Sequence, residues 1–231
     1  MRLILTHRND FPARALATRW GSEALLLTVD ELHRTRWNLE LDSDGQVRTE
    51  LADESGAPVP VDGVVNRLGV VRPSDLPHVH REDRPYAAAE LTAFLLAWLD
   101  ACPVPVLNRP DSGWLSGPAW YPEQWAAEAT ALGLRVATRR QRVALAAAEP
   151  VLVWDKAISA SVVGDRCFGD VHPAVGERLC ALADAAGATL LAATVAGPRP
   201  DAQVRDFSTW PDVSDPMVAD AIATTLVGVA R

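Results

Sequence analysis

The chain is almost without lysine. Of its 22 basic residues, 21 are arginine and only Lys156 is a lysine, so any chemistry that requires two lysine side chains is excluded. Positive charge is scarce overall, with a formal net charge of -8 and a pI of about 5.1. A nucleic-acid phosphate backbone calls for a basic face, and no nucleic-acid partner is expected. Apolar runs are short: none reaches the ~20 residues that span a bilayer. The opening MRLILTHRNDFP lacks the charged start, long apolar run and cleavage site of a signal peptide. The expectation is a soluble cytoplasmic protein with no membrane partner. Cysteines number three, and Cys102, Cys167 and Cys180 form no Cys-x-x-Cys pair. They read as small buried hydrophobes in a reducing compartment. Also missing are GxxxxGK[ST], a GxGxxG after a strand, and the Gly-x-Ser-x-Gly elbow of one hydrolase class.

What is present is a hydrophobic content of 48%, ample for a buried core in 231 residues. Residues 3–6 form a short apolar run. Asp10 is placed to cap a helix with Pro12 in its first turn and Gly21 at its end, and residues 24–29 read as a second buried strand. Alternation at Trp37, Leu39 and Leu41, a Ser43-Asp44-Gly45 turn and alternation again to Leu51 predict a half-exposed hairpin. A strand over 63–67, a helix with Leu91, Leu95, Trp98 and Leu99 on one face, and a strand over 104–107 follow. Alternating strands and helices indicate an α/β domain with a largely parallel sheet. Beyond residue 110 the predicted elements are a helix over 122–132, strands over 134–137, 142–147 and 151–154, and a hairpin turning at Gly164-Asp165. After these come a helix over 173–186, strands over 189–195 and 204–207, and a final helix over 216–229.

Several side chains qualify as site candidates. Asn66-Arg67 and Asn108-Arg109 each close a predicted parallel strand, where ligands gather in open α/β sheets. Arg67 and Arg109 could make a fork for a carboxylate or phosphate, or each Asn could cap a turn while each Arg pairs with an acid. His78-x-His80-x-Glu82-Asp83 would put both imidazoles on one side of an extended loop, as a metal site needs; otherwise it is a solvated polar loop. Lys156, after Asp155, could bind phosphate or make a surface ion pair. Trp114, Trp120, Tyr121 and Trp125 concentrate aromatics near a Gly-rich loop, which suits an apolar pocket, a partner interface or core packing.

Three segments, in order, carry a family resemblance: Gly63-Val-Val-Asn-Arg-Leu followed by Tyr86 and Glu90; Val104-Pro-Val-Leu-Asn-Arg-Pro-Asp followed by Trp125 through Gly133-Leu134; and Ser161-Val-Val-Gly-Asp-Arg-Cys-Phe-Gly followed by a helix and Ala-Ala-Gly-Ala-Thr-Leu. Together they resemble the ATP-grasp ligases that make amide bonds on peptides, the group of the ribosomal-protein glutamate ligase and the microviridin macrocyclases. The resemblance implies a pre-ATP-grasp, Rossmann-like parallel-sheet domain over 1–110 and a reduced α+β ATP-grasp remnant over 111–231.

The chain departs from that family in its middle. The family's central subdomain supplies two lysines, a glycine-rich phosphate loop and an acidic hinge beside adenine. Here about twenty residues separate Val136 from Lys156, and no glycine lies between Leu134 and Ser161. The family's terminal Glu-x-Asn metal pair corresponds to Asp206 and Ser208, and a hydroxyl is a poorer ligand for a hard cation than an amide carbonyl. No cofactor is therefore expected, and the leading function is a non-catalytic peptide-binding, scaffolding or regulatory partner in peptide modification. It would act as a homodimer or beside a full-length ligase or precursor peptide. Two alternatives stay open: an ATP- and magnesium-dependent carboxylate-amine ligase completed by a partner chain, and a metal-dependent enzyme using His78 and His80.

Overall fold

The computed structural model describes residues 1–137 and 157–228, so the predicted strands over 142–147 and 151–154 and the candidate Lys156 lie outside the described residues. The chain forms two compact units. One comprises residues 1–119 together with 212–231, the other residues 120–211. The reading from sequence divided the chain at residue 110 and kept the final helix with the second domain.

The first unit begins with β1 (Arg2–Thr6), α1 (Phe11–Trp20) and β2 (Ala24–Thr28). Asp10 caps α1 by accepting the Ala13 N–H at 3.1 Å, and Pro12 occupies its first turn. A hairpin of β3 (Arg36–Leu41) and β4 (Val47–Ala52) follows, then β5 (Gly63–Asn66), the long α2 (Arg84–Ala101) and the two-residue β6 (Val106–Leu107). The sheet is wholly parallel in the order β2-β1-β5-β6. Leu3, Leu5, Val64, Leu95, Trp98 and Leu99 form its core with almost no exposure, as expected where helices cover such a sheet.

The second unit starts with α3 (Pro122–Ala131) and β7 (Arg135–Val136). It continues through β8 (Ile158–Val163), β9 (Arg166–Phe168), α4 (Pro173–Ala185), β10 (Leu190–Val195) and β11 (Gln203–Ser208). Its sheet, ordered β7-β11-β10-β8-β9, is antiparallel except where β7 runs parallel to β11. The last helix, α5 (Pro216–Gly228), belongs to the first unit. Its Leu226 lies so near Gly63 that a Cβ there would sit 2.8 Å from Leu226 Cδ2, so the glycine lets helix and strand meet.

The register of β11 contains an irregularity. Asp206 pairs with Thr194 but Val204 pairs with Val195, which leaves Arg205 as the extra residue of a bulge. In an unbroken strand Val204 and Phe207, three apart, would face opposite sides. With the extra residue, both pack into the same core with Trp125 and Leu179.

Gly169, just after β9, has φ +118°, and a Cβ would lie 2.6 Å from the carbonyl oxygen of Ser159. Gly169→Ala should lower stability by about 2 kcal/mol, read as a drop in the urea midpoint without a change in m-value.

Candidate functional site

The parallel sheet places its charged residues at the carboxyl ends of its strands. β1 connects to a neighbour on one side, and β5 then pairs on its other side, so the chain reverses direction between β1 and β5. A crevice at such a point is where open α/β sheets bind ligands. An ion pair lies at this edge. Arg67, only 6% exposed, donates from Nε to Asp10 Oδ2 at 2.6 Å and from a terminal nitrogen to Oδ1 at 3.3 Å. Thr6 Oγ1 donates to the same carboxylate at 2.7 Å. Burial alone would raise the Asp10 carboxyl, but the hydrogen bond and charge of Arg67, with Thr6 and the Ala13 N–H, hold it below the usual carboxylate range. Beside it, Arg8 pairs with Asp30.

The other predicted residues are occupied differently. Asn66 donates from Nδ2 to the Leu115 carbonyl and accepts the Leu68 N–H at 3.1 Å, tying the end of β5 to a later loop. Asn108 is buried at φ +54°, a turn conformation asparagine tolerates. Arg109 donates to the carbonyls of Leu99 and Asp100, at 3.0 and 2.5 Å, and to those of Cys102 and Val104, both at 3.3 Å. A helix ends with carbonyls lacking partners and a partial negative charge, and Arg109 serves that end of α2. Arg67 thus pairs with an acid, as one of the two sequence readings has it, and Arg109 binds backbone carbonyls.

Nor does the histidine loop run extended. Val79 donates to the Leu76 carbonyl at 3.2 Å and Asp83 to the His80 carbonyl at 3.0 Å, which turns the chain into α2. His78 packs on His33 with ring centroids 5.1 Å apart, and His80 is exposed. Among the described residues no group of three His, Cys, Asp or Glu side chains could hold a metal ion. The thiols are not poised nucleophiles: burial, with Cys180 nearby, pushes Cys167 up to about 11, and burial also raises Cys102 and Cys180.

The second unit contains an open cleft of about 470 Å³ between α3, β7 and β11. Three aromatic rings dominate it. Trp120 and Trp125 lie 4.8 Å apart, and Trp125 stacks on Phe207 at 5.9 Å. Pro122, Ala126, Val136 and Ala137 add apolar wall, and Glu123, Arg205 and Asp206 add charge. The bulge explains the mixture, because it sends Phe207 toward the core while neighbouring Arg205 and Asp206 stay exposed. Of the aromatic window, Tyr121 is 72% exposed and Trp114 belongs to the first unit. A cluster of tryptophans was visible in the sequence, whereas Phe207 joins it through a register shift that no local pattern announces.

No protein-family model matches the chain, and no curated protein matches it by sequence. Solved structures do. The RiPP-associated ATP-grasp ligase of Chryseobacterium gregarium, in complex with ADP and a leader and core peptide, aligns at a TM-score of 0.64 and 13% identity, over 100% of this chain and 97% of that one. The macrocyclase MdnC of Microcystis aeruginosa, bound with precursor peptide MdnA, aligns at 0.62 and 14% over the whole of both chains. The ligase PsnB, complexed with minimal precursor, magnesium and ADP, aligns at 0.60 and 12%, over 97% of this chain and 98% of its own. The chain has the ATP-grasp ligase fold. At these identities the likeness is one of fold.

An ATP-grasp fold raises the question of magnesium, for which among the described residues no group of three His, Cys, Asp or Glu side chains is found. Asp206 and Ser208, two apart on β11, are the natural oxygen donors. Asp206 Oδ1 accepts the adjacent Phe207 N–H at 3.1 Å, and Ser208 Oγ accepts the Trp210 N–H at 3.1 Å. These two oxygens help shape the strand end, and no third carboxylate is grouped with them among the described residues.

Asp10→Asn should cost about 3–5 kcal/mol, because it removes the carboxylate charge that meets a buried guanidinium. The sign with pH follows from the lowered Asp10 pKa. The pair's contribution is fully present above the ordinary carboxylate value of ~3.9 and is lost as pH falls through the lower folded value. Urea melts of both proteins should therefore differ by a constant amount between about pH 5 and 8 and converge in strong acid.

Proposed function

We propose that this chain takes part in peptide modification as a peptide-binding partner and does not work as a self-sufficient ligase. The observation that carries this reading is the chemistry of the cleft in the second unit: three aromatic rings with one cation, Arg205, among the described residues. A triphosphate carries about four negative charges, and proteins meet them with lysines, arginines, glycine-rich loops of N–H groups and magnesium. An aromatic and apolar wall with a few charged groups at its rim instead suits an apolar peptide side chain. The sequence agrees, with its single lysine and no glycine between Leu134 and Ser161.

The fold supports the same setting. Proteins that share it are ligases named in complex with leader, core or precursor peptides. Alignment along 97–100% of those chains does not locate a missing segment, so the loss of the central subdomain rests on the sequence spacing between Val136 and Lys156. The partner would be a precursor peptide, with a full-length ligase supplying the chemistry. ADP and magnesium in the complexes of the similar ligases favour one other reading, a carboxylate-amine ligase whose nucleotide site a second chain completes.

Tryptophan fluorescence with synthetic leader-type peptides bearing a leucine or aromatic side chain tests the proposal. Saturable quenching is expected, weakened about tenfold in Trp120→Ala with the fold intact, as for a central aromatic contact. Trp120 is the better position because Trp125 is a core residue. No saturable response, or one that Trp120→Ala leaves unchanged, would count against the cleft as a peptide site.

A further inference from the structure

The parallel sheet of the first unit ends at β2, which pairs with β1 and with no other strand among the described residues. The register tells which of its backbone groups face outward. The Arg67 N–H donates to the Leu5 carbonyl, so Leu3 and Leu5 turn their backbone groups toward β5, and Arg2, Ile4 and Thr6 turn theirs toward β2. Ile4 lies opposite Leu26, and in a parallel ladder its slanted bonds reach the two flanking residues, Leu25 and Leu27. Ala24, Leu26 and Thr28 therefore face the outer edge. Local groups take two of their N–H groups: Ala24 donates to the Gly21 carbonyl, and Thr28 to Glu31 Oε2 at 3.3 Å. Of the three, only Leu26 keeps both its N–H and its C=O without a partner among the described residues.

Beside this edge lies a cavity of about 660 Å³, within the size range of small-molecule pockets. Leu25, Leu26 and Leu27 line it together with Val59 and the turn at residues 53–55, and Leu26 is partly exposed. Leu25 and Leu27 pack into the same core cluster as Val59, so their side chains share one face of β2 while Leu26 takes the other. The charges of the lining are uneven. Glu31, Asp53 and Glu54 supply three carboxylates against the guanidinium of Arg34. Arg34 is met by Glu31 at 3.3 Å, and the Met1 ammonium by Asp62. Arg36 donates to the Glu54 backbone carbonyl at 3.3 Å but does not line the cavity. Asp53 accepts from the backbone and hydroxyl of its own turn, so cationic compensation is lacking there.

These features define an occupant. In an antiparallel hydrogen-bonded pair, one residue exchanges both bonds with the residue opposite. A single residue of an extended peptide would satisfy Leu26 completely, and its two neighbours would stand on the face of Leu25 and Leu27. A second copy of the chain suits the edge poorly: two main-chain bonds fall far short of the about ten hydrogen bonds of a protein interface, and the copy would bring the same carboxylates with it. We propose that the outer edge of β2 captures an extended peptide segment of the pattern apolar-x-apolar flanked by a basic residue. The middle residue bridges Leu26, its neighbours enter the cavity beside Val59, and the cation lies toward Asp53 and Glu54. The site belongs to the other compact unit from the aromatic cleft and does not rest on the reading of that cleft.

The test uses the full chain labelled with nitrogen-15 at leucine and the probe acetyl-Lys-Leu-Ala-Leu-Lys-amide. In the free protein the Leu26 amide, identified by its absence in Leu26→Val, should exchange with deuterium much faster than those of Leu25 and Leu27. The probe should slow that exchange and shift the Leu26 resonance saturably. N-methylation of the probe's alanine removes the N–H that meets the Leu26 carbonyl and should weaken binding about fivefold, the loss of one neutral hydrogen bond. N-methylation of the second leucine, whose N–H points away from β2, should leave affinity nearly unchanged. Glu54→Gln should weaken the lysine probe about twofold and leave a probe with norleucine at both lysines unaffected. Trp120→Ala should alter none of this, which separates failure here from failure of the peptide cleft. A Leu26 amide as slow as its neighbours in the free protein, an unmoved Leu26 resonance, equal weakening by the two N-methyl groups, or a norleucine probe that binds as tightly as the lysine probe would each overturn the proposal. So would protection of Leu26 that rises with protein concentration alone, the mark of a second copy at the edge. The N-methyl probes act on the wild type, so they remain decisive if Leu26→Val fails to fold.

Discussion

Arg67 leaves the end of β5 and enters surroundings where its side chain is 6% exposed. A guanidinium is tolerated there because Asp10 meets it at 2.6 Å, and Asp10 is held in place by capping α1 and by Thr6. The β1–α1 connection and the end of β5, 57 residues away, are thereby pinned together where the chain reverses direction across the sheet. Breaking such a pair is far more costly than never having had it, so the first unit is committed to this arrangement. The Arg67 guanidinium, a candidate for holding an anionic ligand at the carboxyl edge of the parallel sheet, is engaged by the protein's own carboxylate. Arg109, the other candidate for that role, is equally engaged with four carbonyls at the end of α2.

The open cleft lies elsewhere. In the second unit the bulge in β11 aligns Phe207 with Trp125 and Trp120 and yields a cleft whose walls are aromatic. In the first unit the hairpin and the end of α2 border a cavity of about 570 Å³. Both are lined by apolar side chains together with a few charged ones.

The strands and helices were legible in the sequence because hydrophobic periodicity and caps are local signals. Asp10 before Phe11-Pro12 marked the start of α1, and the Trp37 to Leu51 alternation marked the hairpin. Residue roles were less legible because they depend on partners that lie far along the chain. Asp10 and Arg67 are 57 residues apart, and nothing near Arg67 announces the carboxylate that occupies it. Arg109 looked like a ligand fork because the end of α2, which returns to meet it, is visible only in three dimensions. His78 and His80 suggested a metal site on the premise of an extended strand, and the turn at His80 removes that premise. Trp98 was readable as core from its helical spacing, yet spacing says nothing about whether an indole N–H finds an acceptor.

The central claim is that an ATP-grasp fold here serves peptides without its own nucleotide site. Isothermal titration of the purified full chain with ATP and magnesium tests it most directly. The account predicts no saturable heat at millimolar nucleotide and no difference between the wild type and Lys156→Ala. Saturable binding that Lys156→Ala weakens would contradict it and identify a working ligase site.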